Sequence, residues 1–281
     1  MISFSEVDKR LGSFQLKKVS FDIPEGYICG LVGRNGAGKT TLLNLILGLL
    51  RAESGSISID GMDYGNDEKS IRKLFGCVLV DELLVKSLTL GENGEFFGNY
   101  YEAYDHEMYK AYLERFELDA GRKFGRLSKG EKLKCQFAFA LAVKPKYLIL
   151  DEPTANFDPQ FRDNFWKILK EFIADEKHSA VLATHLTDDL DRMADQLLYM
   201  ENGQMIFSGD MESFRDRYKI VSGEAYLIKN IDRQYLLGAE AGKYSSKALV
   251  EGRKRFPEGL NVVPASIEEF MYYRSKGAVL K

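Results

Sequence analysis

The sequence predicts an α/β fold built around a phosphate-binding loop, followed by a small α+β C-terminal domain. Three observations carry this prediction. Residues 27–32 (YICGLV) read as a short buried strand, 33–38 as a glycine-rich loop and 40–50 as a helix. Strand, glycine loop, helix is the opening of a P-loop fold. Further on, the apolar run Tyr147-Leu148-Ile149-Leu150 ends at Asp151-Glu152, a buried strand that delivers two carboxylates to its end. Beyond about residue 220 the pattern changes to short strands and two helices, a second and smaller domain.

The elements follow in order. Residues 2–25 alternate loosely and close on the turn signal Pro24-Glu25-Gly26. The helix over 40–50 is apolar at Leu42, Leu43, Leu45, Ile46, Leu49 and Leu50. Residues 54–62 alternate at period two, a strand with Ile57 and Ile59 inward, and 75–80 (FGCVLV) is another buried strand. Residues 91–118 are mostly helical and dense in Tyr and Phe; core packing explains most of them, and any left exposed mark an interface. A helix over 160–174 sets Phe161, Phe165, Ile168, Leu169 and Phe172 at helical spacing. Residues 180–183 and 196–200 are strands, and Asn202-Gly203 after the latter is a hairpin signal. In the C-terminal part, strands are expected near 225–229, 234–237 and 260–263, and helices near 246–255 and 266–275. Ser266 and Glu269 have capping-box spacing for the last helix.

Gly33-Arg34-Asn35-Gly36-Ala37-Gly38-Lys39-Thr40, followed by Thr41, is a full match to GxxxxGK[ST]. The glycines let backbone N–H groups turn inward around phosphate oxygens, and the helix N-terminus adds a favourable partial charge. In this motif Lys39 reaches the β/γ-phosphates and Thr40 binds Mg²⁺. The expected cofactors are therefore ATP and Mg²⁺. Asp151, 112 residues after Lys39, completes the Mg²⁺ shell. Glu152, one residue on, points elsewhere and can polarise a water.

Leu127-Ser128-Lys129-Gly130-Glu131 begins a third motif, and Asp158 and Thr184-His185 follow it downstream. Alone, Leu-Ser-Lys-Gly is an ordinary helix cap. In this order, the motifs resemble the ATP-binding subunits of ABC transporters, whose signature consensus is LSGGQ. The Leu-Ser-Lys-Gly form and the C-terminal extension resemble the bacterial antibiotic- and peptide-exporter type. The resemblance covers roughly residues 1–220 as the ATP-binding domain, with a helical subdomain at about 83–130 and an accessory domain over 221–281.

The resemblance implies a head-to-tail dimer, homo- or heterodimeric, with two ATP molecules between P-loop and signature. Ser128 and the Gly130 backbone then serve the partner's nucleotide, and His185 contacts the γ-phosphate. Catalytic roles fall to Glu152, His185 and Lys39. A separate transmembrane subunit is the second partner, and the chain is peripheral, on the cytoplasmic face of the membrane. Two positions depart from the family pattern. Where an aromatic residue stacks on adenine, the chain has Leu11-Gly12, with Phe14 two residues on. Where the family has a glutamine linking Mg²⁺ and water to the membrane subunit, spacing gives Val80; the adjacent Asp81 is the candidate substitute metal ligand.

Composition narrows the class. The chain has 281 residues, 45% hydrophobic and 29% charged, enough to bury a core. With 39 Lys+Arg against 42 Asp+Glu it lacks the basic excess of a phosphate-backbone binder, so no nucleic-acid partner is expected. Three separated cysteines argue against a disulfide framework or zinc knuckle. No signal peptide is visible, and the longest apolar run, residues 42–50, is far short of the ~20 residues that span a bilayer. The alternative class is a non-transport ABC ATPase acting on ribosomes or DNA. Such proteins usually carry two cassettes, a long coiled coil or zinc inserts, none of which is evident. A small-molecule P-loop kinase leaves Ser128, Gly130 and His185 unexplained.

Overall fold

The alternation at the start of the chain forms an antiparallel pair. The computed structural model describes residues 1–80, 83–240, 242, 245–252 and 256–277. In it β1 (Ile2–Leu11) and β2 (Phe14–Ile23) pair with Ile2 opposite Ile23 and Leu11 opposite Phe14. Ile2, Val7, Leu16, Val19 and Ile23 are fully buried, the inward half of a period-two pattern. The next strand, β3 (Ile28–Gly33), is buried along its whole length and leads through the glycine loop into α1 (Lys39–Ile46). β4 (Ser54–Ile59) then pairs with β1, giving a three-stranded sheet of order β2-β1-β4. Of its two inward isoleucines, Ile59 is fully buried and Ile57 half-buried.

After the short α2 (Glu68–Arg72), β5 (Phe75–Val78) opens the second sheet. It continues with β6 (Tyr147–Asp151), β7 (Ser179–Ala183), β8 (Gln196–Glu201) and β9 (Gln204–Asp210), in the order β5-β6-β7-β3-β8-β9. The pairs β5–β6, β6–β7 and β7–β3 are parallel. Parallel neighbours need crossovers, and helices precede both β6 and β7. Asn202 and Gly203 sit between β8 and β9 with φ of 48° and 78°, the left-handed pair that the Asn-Gly signal demands.

Between β5 and β6 lie α3 (Leu90–Gly98), α4 (His106–Arg115) and α5 (Lys129–Ala142). Most of the aromatic residues here are core. Tyr109 is fully buried, and its hydroxyl donates to the Leu90 carbonyl at 3.0 Å. Phe139 of α5 takes ring contacts from Phe97, Tyr101, Tyr104 and Tyr109. Phe96 and Tyr100 instead stay 49% and 73% exposed. α6 (Pro159–Ile173) buries Phe161, Phe165, Ile168 and Leu169 as the helical spacing predicts.

The chain divides into two compact units, Met1–His185 with Leu198–Ser208, and Leu186–Leu197 with Gly209–Lys281. The second unit holds α7 (Thr187–Met193), α8 (Met211–Arg217), β10 (Tyr218–Gly223), α9 (Ala225–Lys229), β11 (Leu236–Glu240), β12 (Ser246–Glu251), β13 (Asn261–Pro264) and α10 (Ile267–Lys276). Its strands form an antiparallel sheet of order β11-β12-β10-β13. Ser266 and Glu269 make the reciprocal capping box of α10, and the Asp191 carboxylate of α7 accepts from Ile267 N at 3.1 Å.

Two expectations fail in this unit. Residues 225–229 (AYLIK) form a helical turn, not a strand; a short apolar run has no periodicity to separate the two. Residues 246–251 (SKALVE) form β12, not a helix. Lys, Ala, Leu and Glu favour helix locally, but pairing with β10 on one side and β11 on the other overrides that preference. No helix among the described residues is long and apolar enough to cross a membrane.

Candidate functional site

Because β6, β7 and β3 are adjacent and parallel, their C-terminal ends open on one edge of the sheet. That edge is where open α/β sheets bind ligands. It brings together the glycine loop after β3, Asp151 at the end of β6, Glu152 beyond it, and Thr184-His185 after β7.

The loop's conformation depends on its glycines. Gly36 and Gly38 have φ of 79° and 113°. A Cβ on Gly38 would also lie 2.7 Å from Phe14 Cζ and 2.8 Å from Leu16 Cδ2. No side chain caps the N-terminus of α1, so its first N–H groups are left to meet an anion. Lys39 Nζ donates to the Gly33 carbonyl at 2.8 Å. Burial draws the Lys39 pKa below its ordinary value, and the Glu152 and Asp151 charges oppose that fall.

Two adjoining cavities open here. One of about 660 Å³ is lined by Leu11, Phe14, Asn35, Gly36, Gly38, Lys39, Thr40, Thr41, Val80, Asp151 and Glu152. The other, about 570 Å³, shares Asn35, Val80, Asp151 and Glu152 and adds Lys129, Gln136, Asn156 and His185 among others. Phe14 is therefore on the cavity wall beside the glycine loop. Val80 is 66% exposed and faces both cavities. Asp81 lies outside the described residues.

The two carboxylates differ sharply. Asp151 is buried, whereas the Glu152 side chain is partly open. Glu152 has φ 48°, a left-handed conformation that costs a non-glycine residue about 1–2 kcal/mol. Its N–H donates to the Ala183 carbonyl at 2.8 Å, which pins that turn. Its Oε2 accepts from Thr184 Oγ1 at 3.1 Å and lies 2.8 Å from His185 Nδ1. The strained turn thus aims Glu152 across to the residues after β7, as backbone strain at reactive positions does elsewhere.

Ser128 and Gly130 have duties within their own chain. Ser128 caps α5: its Oγ accepts from Glu131 N, and its own N–H donates to Glu131 Oε2 at 2.8 Å. Glu131 also pairs with Arg122 at 2.5 Å; chiefly that hydrogen bond holds its pKa down at about 2. A glutamine at 131 can close the cap but cannot make this ion pair. Ser128 lines neither cavity, whereas Lys129 lines the second. A Cβ on Gly130 would lie 2.6 Å from the Asn156 carbonyl oxygen, in the loop before α6. Gly130→Ala should therefore destabilise the protein by about 1–3 kcal/mol, as overpacking against backbone does. Thermal unfolding reads this directly, and an unchanged midpoint would show that α5 can move away. Asp158 caps α6, accepting from Phe161 N at 2.8 Å, and Lys134 reaches it at 3.3 Å.

Gln136 escaped sequence analysis. Its signal is an amide inside the otherwise apolar stretch 135–142 (CQFAFALA), where the structure buries it to 3% exposure. Among the described residues there is no group of three or more His, Cys, Asp or Glu able to hold a metal ion.

Residues 16–155 match the family model described as ABC transporter. The Nod factor export ATP-binding protein I of Burkholderia lata is 36% identical over 214 residues, covering 74% of this chain and 70% of its own. The uncharacterized ABC transporter ATP-binding protein YdbJ of Bacillus subtilis is 34% identical, covering 71% of this chain and 66% of its own. Among solved structures, an ATP-binding subunit of an ABC transporter superposes with TM-score 0.71 at 25% identity, over 77% of this chain and 92% of that one. A dimeric ATP-binding cassette in a post-hydrolysis state, bound to ADP and Pi, gives TM-score 0.68 at 25% identity, over 75% of this chain and 99% of that one.

Proposed function

The chain belongs to the ABC transporter ATP-binding family, and on that premise we propose that it is the ATP-hydrolysing subunit of an exporter, driving a separate membrane-embedded subunit. The family's members are ATPases, and the chain is one of them.

One observation carries the mechanism: the Glu152 carboxylate, held by Thr184 and His185, beside a cavity lined by Lys39 and Asp151. In the proposed reaction Glu152 takes the proton of a water that attacks the γ-phosphorus. The β/γ bridging oxygen leaves with ADP. Lys39 and the first N–H groups of α1 offset phosphate charge. His185, now on Glu152, contacts the γ-phosphate once nucleotide arrives. The Thr40 hydroxyl and Asp151 carboxylate line one cavity and are hard oxygen donors, which suits Mg²⁺; few protein ligands suffice because phosphates and water complete its shell. Bound there, Mg²⁺ would neutralise charge on the β- and γ-oxygens.

The dimer is proposed with Ser128 and Gly130 facing the partner's nucleotide. In that arrangement residues 1–220 work as the ATP-binding domain and 221–281 as an accessory domain that regulates or assembles. The relatives named for Nod factor export support export; the proposed cargo is a peptide, antibiotic or lipid-like compound. Exposed Leu49, Leu83 and Tyr100 support a membrane-subunit contact: they line a groove of about 550 Å³ with Lys69, Arg72 and Lys73. Lys73 is paired with Glu102 on the same wall and Arg72 with Glu68, so the groove suits a partner segment chiefly through its apolar face, at the cytoplasmic face of the membrane. The test is affinity isolation from detergent-solubilised membranes. A polytopic membrane protein should co-purify, and Tyr100→Glu should lose it while ATP hydrolysis persists. Recovery of ribosomes in its place would overturn the transport reading.

A further inference from the structure

Gln136 is a polar side chain at a buried position of α5, with fully buried Cys135 and Phe137 on either side. Burying an amide is unfavourable unless its groups are hydrogen-bonded. Gln136 Oε1 accepts from Leu79 N at 3.4 Å. Because Leu79 N–H is a donor, the oxygen must face it, and the amide orientation is fixed with the NH₂ group turned away.

Among the described residues, that is the only hydrogen bond of this amide. Among the described residues the sealed, unpartnered polar atoms are Ser3 Oγ, Tyr104 OH and Ser246 Oγ, and the nitrogen of Gln136 is not one of them. With its oxygen turned to Leu79 N, the NH₂ is the polar end of this amide left to face the cavity that Gln136 lines, the one shared by Asp151, Glu152 and His185. On the same wall, one residue after Leu79, Val80 offers no polar atom.

We propose that Gln136 donates its amide N–H to an oxygen of the γ-phosphate of bound ATP, and so distinguishes ATP from ADP. This rests on the ATPase reading above. The donor type fits: an amide N–H meeting an anionic oxygen in a confined site is a charge-assisted hydrogen bond. The Leu79 bond holds the amide in place, so little rotamer freedom is lost when ATP binds. It also ties the occupant of the cavity to the Leu79–Val80 backbone, so that loop responds to the γ-phosphate through α5 and not through its own side chain.

The test compares ATP and ADP affinities by calorimetry with Mg²⁺ present, for the parent, Gln136→Met and Val80→Gln/Gln136→Met. Methionine keeps length and volume but has no N–H. Gln136→Met should weaken ATP about tenfold and leave ADP within about twofold. Val80→Gln should restore part of the ATP preference by returning an amide to the same wall. Should the Met variant fail to fold, Gln136→Asn gives the same readout, because it keeps the amide but withdraws it from the cavity. Equal losses for ATP and ADP would assign Gln136 a purely structural role and overturn the proposal, as would affinities unchanged for both. If the parent itself binds neither nucleotide, the ATPase reading fails first.

Discussion

Glu152→Gln is expected to bind ATP as the parent does and to hydrolyse it at least about a hundredfold more slowly. That factor corresponds to about 2.7 kcal/mol of barrier. Its physical basis is the loss of proton affinity without loss of shape. Glutamine keeps the side-chain length, and its amide oxygen can still accept from Thr184 Oγ1, so the strained turn at φ 48° need not change. What it cannot do is take a proton from water. It also replaces the charge that faces His185 Nδ1 at 2.8 Å. The measurement is steady-state phosphate release beside ATP affinity, with thermal unfolding as the check on fold. Because ATP binds but is not consumed, the variant should accumulate as an ATP-bound dimer in gel filtration. Turnover within a few-fold of the parent would remove Glu152 from the base role.

Ser128→Asp is expected to fold normally and lose nearly all ATPase activity, and mixing it with Lys39→Ala chains should restore part. Aspartate is as good a helix cap as serine, so the box that Ser128 makes with Glu131 N survives. A carboxylate at 128, however, sets a negative charge against the partner's γ-phosphate if the sites are shared. Lys39→Ala removes the ammonium group of the other half-site. A mixed dimer then has one site with both defects and one with neither. Equal mixing makes half of the dimers mixed, so about a quarter of parental activity is expected for a twofold-symmetric assembly. Heterodimer formation is checked with two affinity tags. No recovery in verified mixed dimers would count against a shared site, or against turnover by a single one. Full activity of Ser128→Asp alone would confine Ser128 to its capping duty.

Much of the first unit was legible because its signals are local. The six residues of β3 must be extended and buried, and the loop after them needs glycine at Gly36 and Gly38, where φ is positive. Asn202-Gly203 marks its hairpin in the same way, since two consecutive left-handed residues are favourable for few other pairs. In the second unit, the capping box at Ser266 and Glu269 is legible for the same reason, being read four residues at a time. The failures at 225–229 and 246–251 share one cause. Neither segment has enough period to outvote its neighbours, and β12 exists because β10 and β11 flank it.

By itself, then, the sequence determined the P-loop, the carboxylate pair at the end of β6, the order of the motifs and hence the family, because each is a short chain segment whose chemistry and conformation go together. Tertiary structure alone decided what those residues touch. Glu152 meets Thr184 and His185 because β6 and β7 are parallel neighbours, and Phe14 meets Gly38 because β2 passes beside the loop. Gly130 is small because the Asn156 carbonyl lies against it, and Gln136 becomes a cavity residue because α5 packs on β5 and the loop beyond. Such contacts join residues 20 to 60 positions apart, and no local rule of spacing or propensity encodes them. They arise only when separate segments bury their apolar faces together and leave their polar groups to find partners.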